Sequence, residues 1–280
     1  MKPSFNAMGA LRLNPDNVLN KGLVAWYLMN EGVVSYLRDL VSGNMIPLTV
    51  GAATPSIGRD SKDGLCLTFP VNHTSRYTTL LPQISSLPLS NFGVVVRYRT
   101  TISQVSNCLC GWHGTDDLLL YGADASSTNS GASRMFWRDV GGSINETTGV
   151  DLVDGALHTM TLTSTADANH FWCVDDRLVG QWTTSRATAG PFSGFSIGAW
   201  VDTSSQDWAG NISSVALYNI GLSVKIASMG HVFPYGTPSN PRFLYLGAKS
   251  YFYPSVATPS FKPYWIPKRS RIIGGGLGVS

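Results

Sequence analysis

The chain has 280 residues, 43% of them apolar and only 13% charged, with a formal net charge of +3. That length holds one large all-β domain or two ordinary domains, and the apolar share is enough for a core. Glutamate occurs only at Glu31 and Glu146. Helical proteins draw on Ala, Glu, Lys, Leu and Gln; this chain draws on Gly, Ser, Thr, Val, Trp and Tyr, which excludes a helix bundle or coiled coil and favours strands and turns.

The charge is unevenly spread. Residues 1–207 carry 13 Lys and Arg against all 17 Asp and Glu, whereas residues 208–280 carry seven basic residues and no acid. A mildly acidic body thus bears a basic C-terminal segment. Attachment arms that meet an acidic partner surface or nucleic acid have this pattern, and so do chance runs of solvated lysines.

Residues 1–20 are polar, with a turn signal at Asn14-Pro15-Asp16-Asn17, and read as a leader arm. The start, Met1-Lys2-Pro3-Ser4-Phe5-Asn6, has no apolar run of signal-peptide length, and no stretch approaches the roughly 20 apolar residues of a membrane span. A protein made in the cytosol, with no membrane partner, is expected, and the N-x-S/T sites at Asn72, Asn145 and Asn211 are then incidental. Short strand-like segments follow: Gly22–Leu28, Gly64–Phe69, Phe92–Thr100, Cys108–Trp112, Leu118–Tyr121, Met135–Arg138, His158–Thr165, Asn169–Val174, Arg177–Trp182, Phe195–Val201 and Ile212–Tyr218. In Phe92–Thr100, Val94, Val96 and Tyr98 alternate with Val95, Arg97 and Arg99. In His158–Thr165, Met160 and Leu162 point inward and the threonines outward. Asp175-Asp176 marks a hairpin. Many short alternating strands with almost no helical period mean a sandwich or barrel. The best helix candidate, Leu222–Met229, is brief. Cys108-Leu109-Cys110 is C-x-C rather than the C-x-x-C of zinc or redox sites. Cys66 and Cys173 sit in strand-like runs, so buried thiols are expected.

After Gly230 the texture changes. Residues 231–267 hold seven prolines and ten of the chain's 30 aromatics. Proline at that density favours extended backbone, but a free linker is poor in aromatics. Phe243, Tyr245, Tyr251, Phe252, Tyr253, Tyr264 and Trp265 need a surface to cover them, either the sandwich itself or a neighbouring subunit. A basic run, Pro267-Lys268-Arg269-Ser270-Arg271, and a glycine-rich end close the chain. The organisation is therefore a leader (1–20), one domain (21–230) and an extended C-terminal arm (231–280).

Taken in order, the strands resemble the laminin G-like branch of the concanavalin A-like jelly rolls. Gly22–Gly32 resembles that family's opening strand and turn, and Arg38-Asp39-Leu40-Val41-Ser42-Gly43-Asn44 its D-x-S-G-N turn. Gly155–Leu162 resembles its "WHHVALT" strand, Phe171–Val179 its "LYVDGVLV" hairpin, and Ala209–Asn219 its closing strand. The resemblance implies two antiparallel sheets packed face to face over residues 21–230. Relatives of this fold bind sugars or proteins, hydrolyse glucans or serve as structural modules, so the residues must choose.

Glycoside hydrolysis needs two carboxylates roughly 5–10 Å apart. No strand carries acids at i and i+2 or i+4, Glu31 and Glu146 fall in predicted turns, and the adjacent pairs Asp116-Asp117 and Asp175-Asp176 would face opposite ways on a strand. No enzyme is expected. Gly194-Phe195-Ser196-Ile197-Gly198 spells G-x-S-x-G, but inside a strand rather than at a strand-to-helix turn. Many relatives hold a structural Ca²⁺ between the D-x-S-G-N turn and an acid of the closing strand. Asp39 and Asn44 remain, whereas Ser213 and Ser214 replace the acid, so no cofactor is expected. Aromatics with polar neighbours would bind sugar, and Trp112, His113, Trp200, Asp202 and Trp208 form the candidate groove, with Trp137-Arg138 as a further pair.

The combination of one jelly roll, a leader and an aromatic, basic arm resembles accessory virion proteins of tailed bacteriophages. That second resemblance implies a virion structural protein, of capsid-decoration type, located in the particle and forming a homo-oligomer. The arm's aromatics would bury against a major capsid or other virion protein, while Lys262, Lys268, Arg269 and Arg271 meet its acidic surface. The alternative is a carbohydrate-binding module of a tail or fibre that contacts surface glycans. Basic and aromatic residues interleave only in the arm and in modest number, so nucleic acid is not the expected partner.

Overall fold

The computed structural model describes residues 12–13, 20–29, 32–60, 64–79, 84, 91–102, 107–114, 117–122, 132–139, 142–165, 169–175, 177–183, 192–200, 207–223 and 244–245. Every named element among them is a strand. In chain order these are β1 Arg12–Leu13, β2 Leu23–Tyr27, β3 Tyr36–Arg38, β4 Met45–Thr49, β5 Ser56–Asp60, β6 Gly64–Phe69, β7 Arg76–Thr79, β8 Phe92–Arg99, β9 Cys108–Gly114, β10 Asp117–Gly122, β11 Ala132–Asp139, β12 Gly142–Asp151, β13 His158–Ser164, β14 Asn169–Val174, β15 Arg177–Thr183, β16 Phe192–Ile197, β17 Gly210–Tyr218 and β18 Leu244–Tyr245.

Sheet I runs β12-β11-β10-β9-β16-β7-β4-β3. Sheet II runs β15-β14-β13-β8-β17-β6-β5, and β17 pairs first with β6, through Gly210–Ile212, and then with β2, through Val215–Tyr218. All pairings are antiparallel, and the order is that of the expected two-sheet jelly roll.

The core follows from alternation. Val94, Val96 and Tyr98 of β8, Met160 and Leu162 of β13, and Cys110, Trp112, Phe195 and Ile197 from sheet I all belong to one buried cluster. A bulge between Ile212 and Ser214 in β17 brings Ile212 and Val215 to the same inward face although they are three residues apart. Aromatic rings lock the two layers together: Phe92 of sheet II meets Trp112 of sheet I at 5.5 Å, and Trp112 meets Phe195 at 4.7 Å. Each such fully buried side chain contributes about 1.5–3 kcal/mol of transfer free energy.

The other face of sheet II is buried as well. Thr159, Thr161 and Thr163 lie on the expected side of β13, away from the core cluster, yet they are at most 3% exposed. Val95 and Ala216 share that face and are equally covered. Alternation reports which face a residue takes, not whether that face meets water.

Several elements differ from expectation. β3, β4, β5, β7 and β12 are additional to the expected strands: β3, β4 and β7 are too short to show alternation, while β5 and β12 carry glycine, serine, aspartate or asparagine and are held by pairing with β6 and β11. Glu146 sits in β12, opposite Met135, rather than in a turn. The strand expected over Phe195–Val201 stops at Ile197, because Gly198 adopts φ 93°, where an added Cβ would come within 2.4 Å of the Phe69 ring. Leu222 and Ser223 are not helical, and the remainder of that helix candidate lies outside the described residues. The four cysteines are buried free thiols, as expected, and burial pushes the Cys173 thiol up to about 11. β1 pairs with β18, Arg12 opposite Tyr245 and Leu13 opposite Leu244, so the leader and the arm meet.

Candidate functional site

The structure does not assemble the groove expected from Trp112, His113, Trp200, Asp202 and Trp208. Trp112 faces the core, wedged between Phe92 and Phe195, and its Nε1 donates to the Ile84 carbonyl at 3.0 Å. Trp208 is also fully buried and meets Tyr98 edge to face at 5.2 Å. Neither ring is available to stack on a sugar, because inward positions of a sandwich are filled by its largest apolar side chains. His113 alternates with Trp112, so it takes the outward face of β9, where it is 4% exposed. Trp200 follows the Ala199–Asp207 bridge and is 9% exposed. Asp202 lies outside the described residues, as do Phe243, Tyr251, Phe252, Tyr253, Lys262, Tyr264, Trp265, Lys268, Arg269 and Arg271. Tyr245 is placed only by its backbone in β18.

The calcium candidate resolves differently. Asp39 is fully buried, and its carboxylate accepts hydrogen bonds from the Trp26 backbone N–H (2.8 Å), the Val41 N–H (3.0 Å), the Ser42 N–H (3.1 Å) and the Ser42 hydroxyl (2.5 Å). The anion that relatives offer to a cation is here consumed by the chain's own donors, pinning the D-x-S-G-N turn to β2. Asn44 contributes its carbonyl to the Asp39 N–H at 2.8 Å. No group of three or more potential metal-binding side chains occurs among the described residues.

Two histidines form the remaining polar clusters. His158 Nδ1 lies 3.0 Å from Asp175 Oδ2, and His158 Nε2 lies 2.9 Å from Asp154 Oδ1. Carboxylates only accept, so both ring nitrogens donate and the ring is an imidazolium. Burial opposes that charge, but the two carboxylates outweigh it and raise the His158 pKa. The clamp ties the loop before β13 to the β14–β15 turn, where Asp175 takes φ 56°. His73 is the opposite case. It is buried against Phe69, Nε2 donates to the Trp208 carbonyl at 2.7 Å, and burial lowers its pKa against the pull of Asp207. Asp207 is held by the His73 backbone N–H at 2.8 Å. Ser196 of the G-x-S-x-G pattern lies mid-strand in β16 with its hydroxyl buried and unbonded, so no base activates it.

The outward side of sheet I brings together positions that are far apart in the sequence. One row crosses six strands in register: Thr78, Ser196, Gly111, Leu119, Phe136 and Asn145. The flanking rows place Asp117, Arg138 and Ser143 on one side and Tyr121, Arg134 and Thr147 on the other. On β10–β12 this face therefore combines two aromatic positions with arginines, an amide, hydroxyls and one acid, whereas the inward rows carry Leu118, Leu120, Met135 and Trp137. Trp137 and Arg138, paired in the sequence reading, fall on opposite faces. Toward β9 and β16 the outward face is closed, since His113 and Ser196 are buried. Sequence reasoning missed Tyr121, Phe136 and Asn145 because only the β9–β12 register reveals that they share a face.

Solved structures match this fold. Domain 4 of AbnA, a GH43 extracellular arabinanase from Geobacillus stearothermophilus solved with arabinotriose, matches at TM-score 0.58 and 11% identity, covering 75% of this chain and 96% of that one. The binding domain of Paraclostridial Mosquitocidal Protein 1 matches at TM-score 0.56 and 12% identity, covering 75% and 52%. The botulinum neurotoxin serotype D binding domain matches at TM-score 0.53 and 11% identity, covering 78% and 54%. This chain thus spans about half of each toxin-derived chain. At such identities the likeness establishes the fold alone, an antiparallel β-sandwich. No protein-family model and no curated sequence matches the chain.

Proposed function

We propose that this chain is a non-enzymatic, lectin-like module that binds carbohydrate on the β10–β12 part of the outward face of sheet I. The observation that carries the proposal is the register that gathers Tyr121, Phe136, Arg134, Arg138 and Asn145 on one face of three adjacent strands. Aromatic faces take the apolar side of a sugar ring, and planar polar groups take its hydroxyls. The arabinotriose held by the arabinanase domain adds support from a protein of the same fold. A binding role is favoured over hydrolysis because Asp39, Asp154, Asp175 and Asp207 are engaged by the chain's own donors. A glycan array on the full chain tests the proposal. Binding is expected, weakened about tenfold or more by Tyr121→Ala or Phe136→Ala with the fold intact. Absence of binding to every sugar would overturn it.

A second reading is a virion structural protein of capsid-decoration type in a tailed phage, oligomeric and anchored by residues 231–280. It rests on the composition of that arm, with ten aromatics and no acid. A chain ending at residue 230 that still joined particles would remove it. The two roles are compatible, since one end docks while the other face binds.

A further inference from the structure

The central strands of sheet II are buried on both sides, although its edge strand β15 exposes Leu178, and their second side has no layer among the large sheets. Trp26, Ala216, Val95, Thr161 and Cys173 stand in one register row across β2, β17, β8, β13 and β14. They are at most 3% exposed, yet none belongs to the core cluster between the sheets. The strands of both large sheets are all used in the two layers of the sandwich. What covers this row must come from elsewhere.

The direction of the chain after β17 points to the source. Gly221 donates its N–H to Asn91 Oδ1 at 2.5 Å, and Leu222 donates its N–H to Thr163 Oγ1 at 2.6 Å. The Leu222 side chain rests on Gly93, where an added Cβ would meet its Cγ at 2.8 Å. Gly93 and Thr163 are register partners on the same outer face. The chain has therefore already climbed onto this face at Leu222, which is 2% exposed.

We propose that residues 224–280 pack back across the outer face of sheet II and form a third layer of this chain's own sandwich, in place of the particle anchor of the second reading above. Size complementarity supports it: beside Trp26, the middle of the face offers small residues, Gly93, Val95, Thr161 and Ala216, while the segment offers ten aromatics. Large against small fills space without voids. Arg97, 7% exposed on this face, presents a guanidinium on which aromatic rings stack favourably. Reach is ample: sheet II is seven strands wide, β2 and β6 sharing one edge of β17, so at about 4.8 Å per gap it spans roughly 29 Å, which about nine extended residues cover. The pairing of β18 with β1 shows that part of the segment pairs within its own chain, at Arg12–Leu13.

Photo-crosslinking in the full chain tests this. Benzoylphenylalanine replaces Phe252 or, separately, Trp265, and the crosslinked peptides are read by mass spectrometry on a mixture of ¹⁴N- and ¹⁵N-labelled protein. Crosslinks within one copy, to peptides holding Val95, Thr161 or Ala216, are expected. Crosslinks between copies, or to other surfaces, would overturn the proposal in favour of a neighbouring subunit. A chain ending at Ser223 gives a second measurement. Cys173 should react with iodoacetamide about tenfold faster than in the full chain, while Cys110 in the core stays protected and reports that the fold persists. Equal protection of Cys173 in both chains would also overturn it.

Discussion

The two sheets share a core but treat their outer faces in opposite ways. Sheet II carries Val95, Thr161 and Ala216 outward and buries them, so it behaves as a middle layer. The β10–β12 part of sheet I carries arginines, an amide and aromatics outward, residue types suited to a ligand in water. Both sheets alternate, so alternation alone does not separate them. The difference lies in the chemistry of the outward set: small and weakly polar where chain covers it, planar polar and aromatic where a ligand is proposed. In a jelly roll, the outward residues of each sheet identify which side is architecture and which is available for recognition.

Charge insertion is the hardest way to break that comparison. Thr161→Lys would bury an ammonium in the covered row of sheet II, and a loss of about 3 kcal/mol or more is expected from the shift in urea midpoint. Asn145→Lys, on the face of sheet I proposed to meet ligand, should stay within about 0.5 kcal/mol, as substitutions at open surface positions do. Equal losses would erase the distinction between the faces. The seam between the sheets comes next. Asp39→Ala strips four acceptor bonds from the turn that pins β3 to β2, and roughly 2–4 kcal/mol should be lost. Because the carboxylate is saturated by protein donors, chelator should leave the melting temperature of the wild-type chain unchanged, whereas a drop on chelation would return Asp39 to the role of a metal ligand.

Much of this arrangement can be read from residue order. The alternation of Phe92–Thr100 and His158–Thr165 gives the inward sets of β8 and β13, and the D-x-S-G-N and closing-strand patterns give the jelly-roll order. The site was less readable for a physical reason. A tryptophan is as suited to a core as to a sugar platform, and only the register through Phe195 and Phe92 shows that Trp112 is core. Tyr121, Phe136 and Asn145 are separated in sequence and become neighbours only through two hairpins. Weak strands such as β5 and β12 carry glycine, serine, aspartate or asparagine among few strand formers and exist because β6 and β11 offer them a ladder.

The smallest expected effects belong to the two histidines, and they have opposite signs. His158 fastens the edge of sheet II, and its folded pKa is raised above the ordinary value of 6.5. Its contribution is complete below that value and is lost as pH rises through the raised pKa. His73 lies between β6 and β7 against Asp207 and Trp208, and its pKa is lowered from the same 6.5. Its contribution is complete above that value and is lost as pH falls through the lowered pKa. Melting temperature should therefore decline as pH rises above the ordinary histidine range and as it falls below it. His158→Gln should flatten the alkaline decline, because the amide keeps one donor for a carboxylate and does not titrate. His73→Gln should flatten the acid decline by keeping a donor for the Trp208 carbonyl. If His158→Gln instead flattened the acid side, the clamp by Asp154 and Asp175 would not hold an imidazolium, and the edge of sheet II would need another fastening.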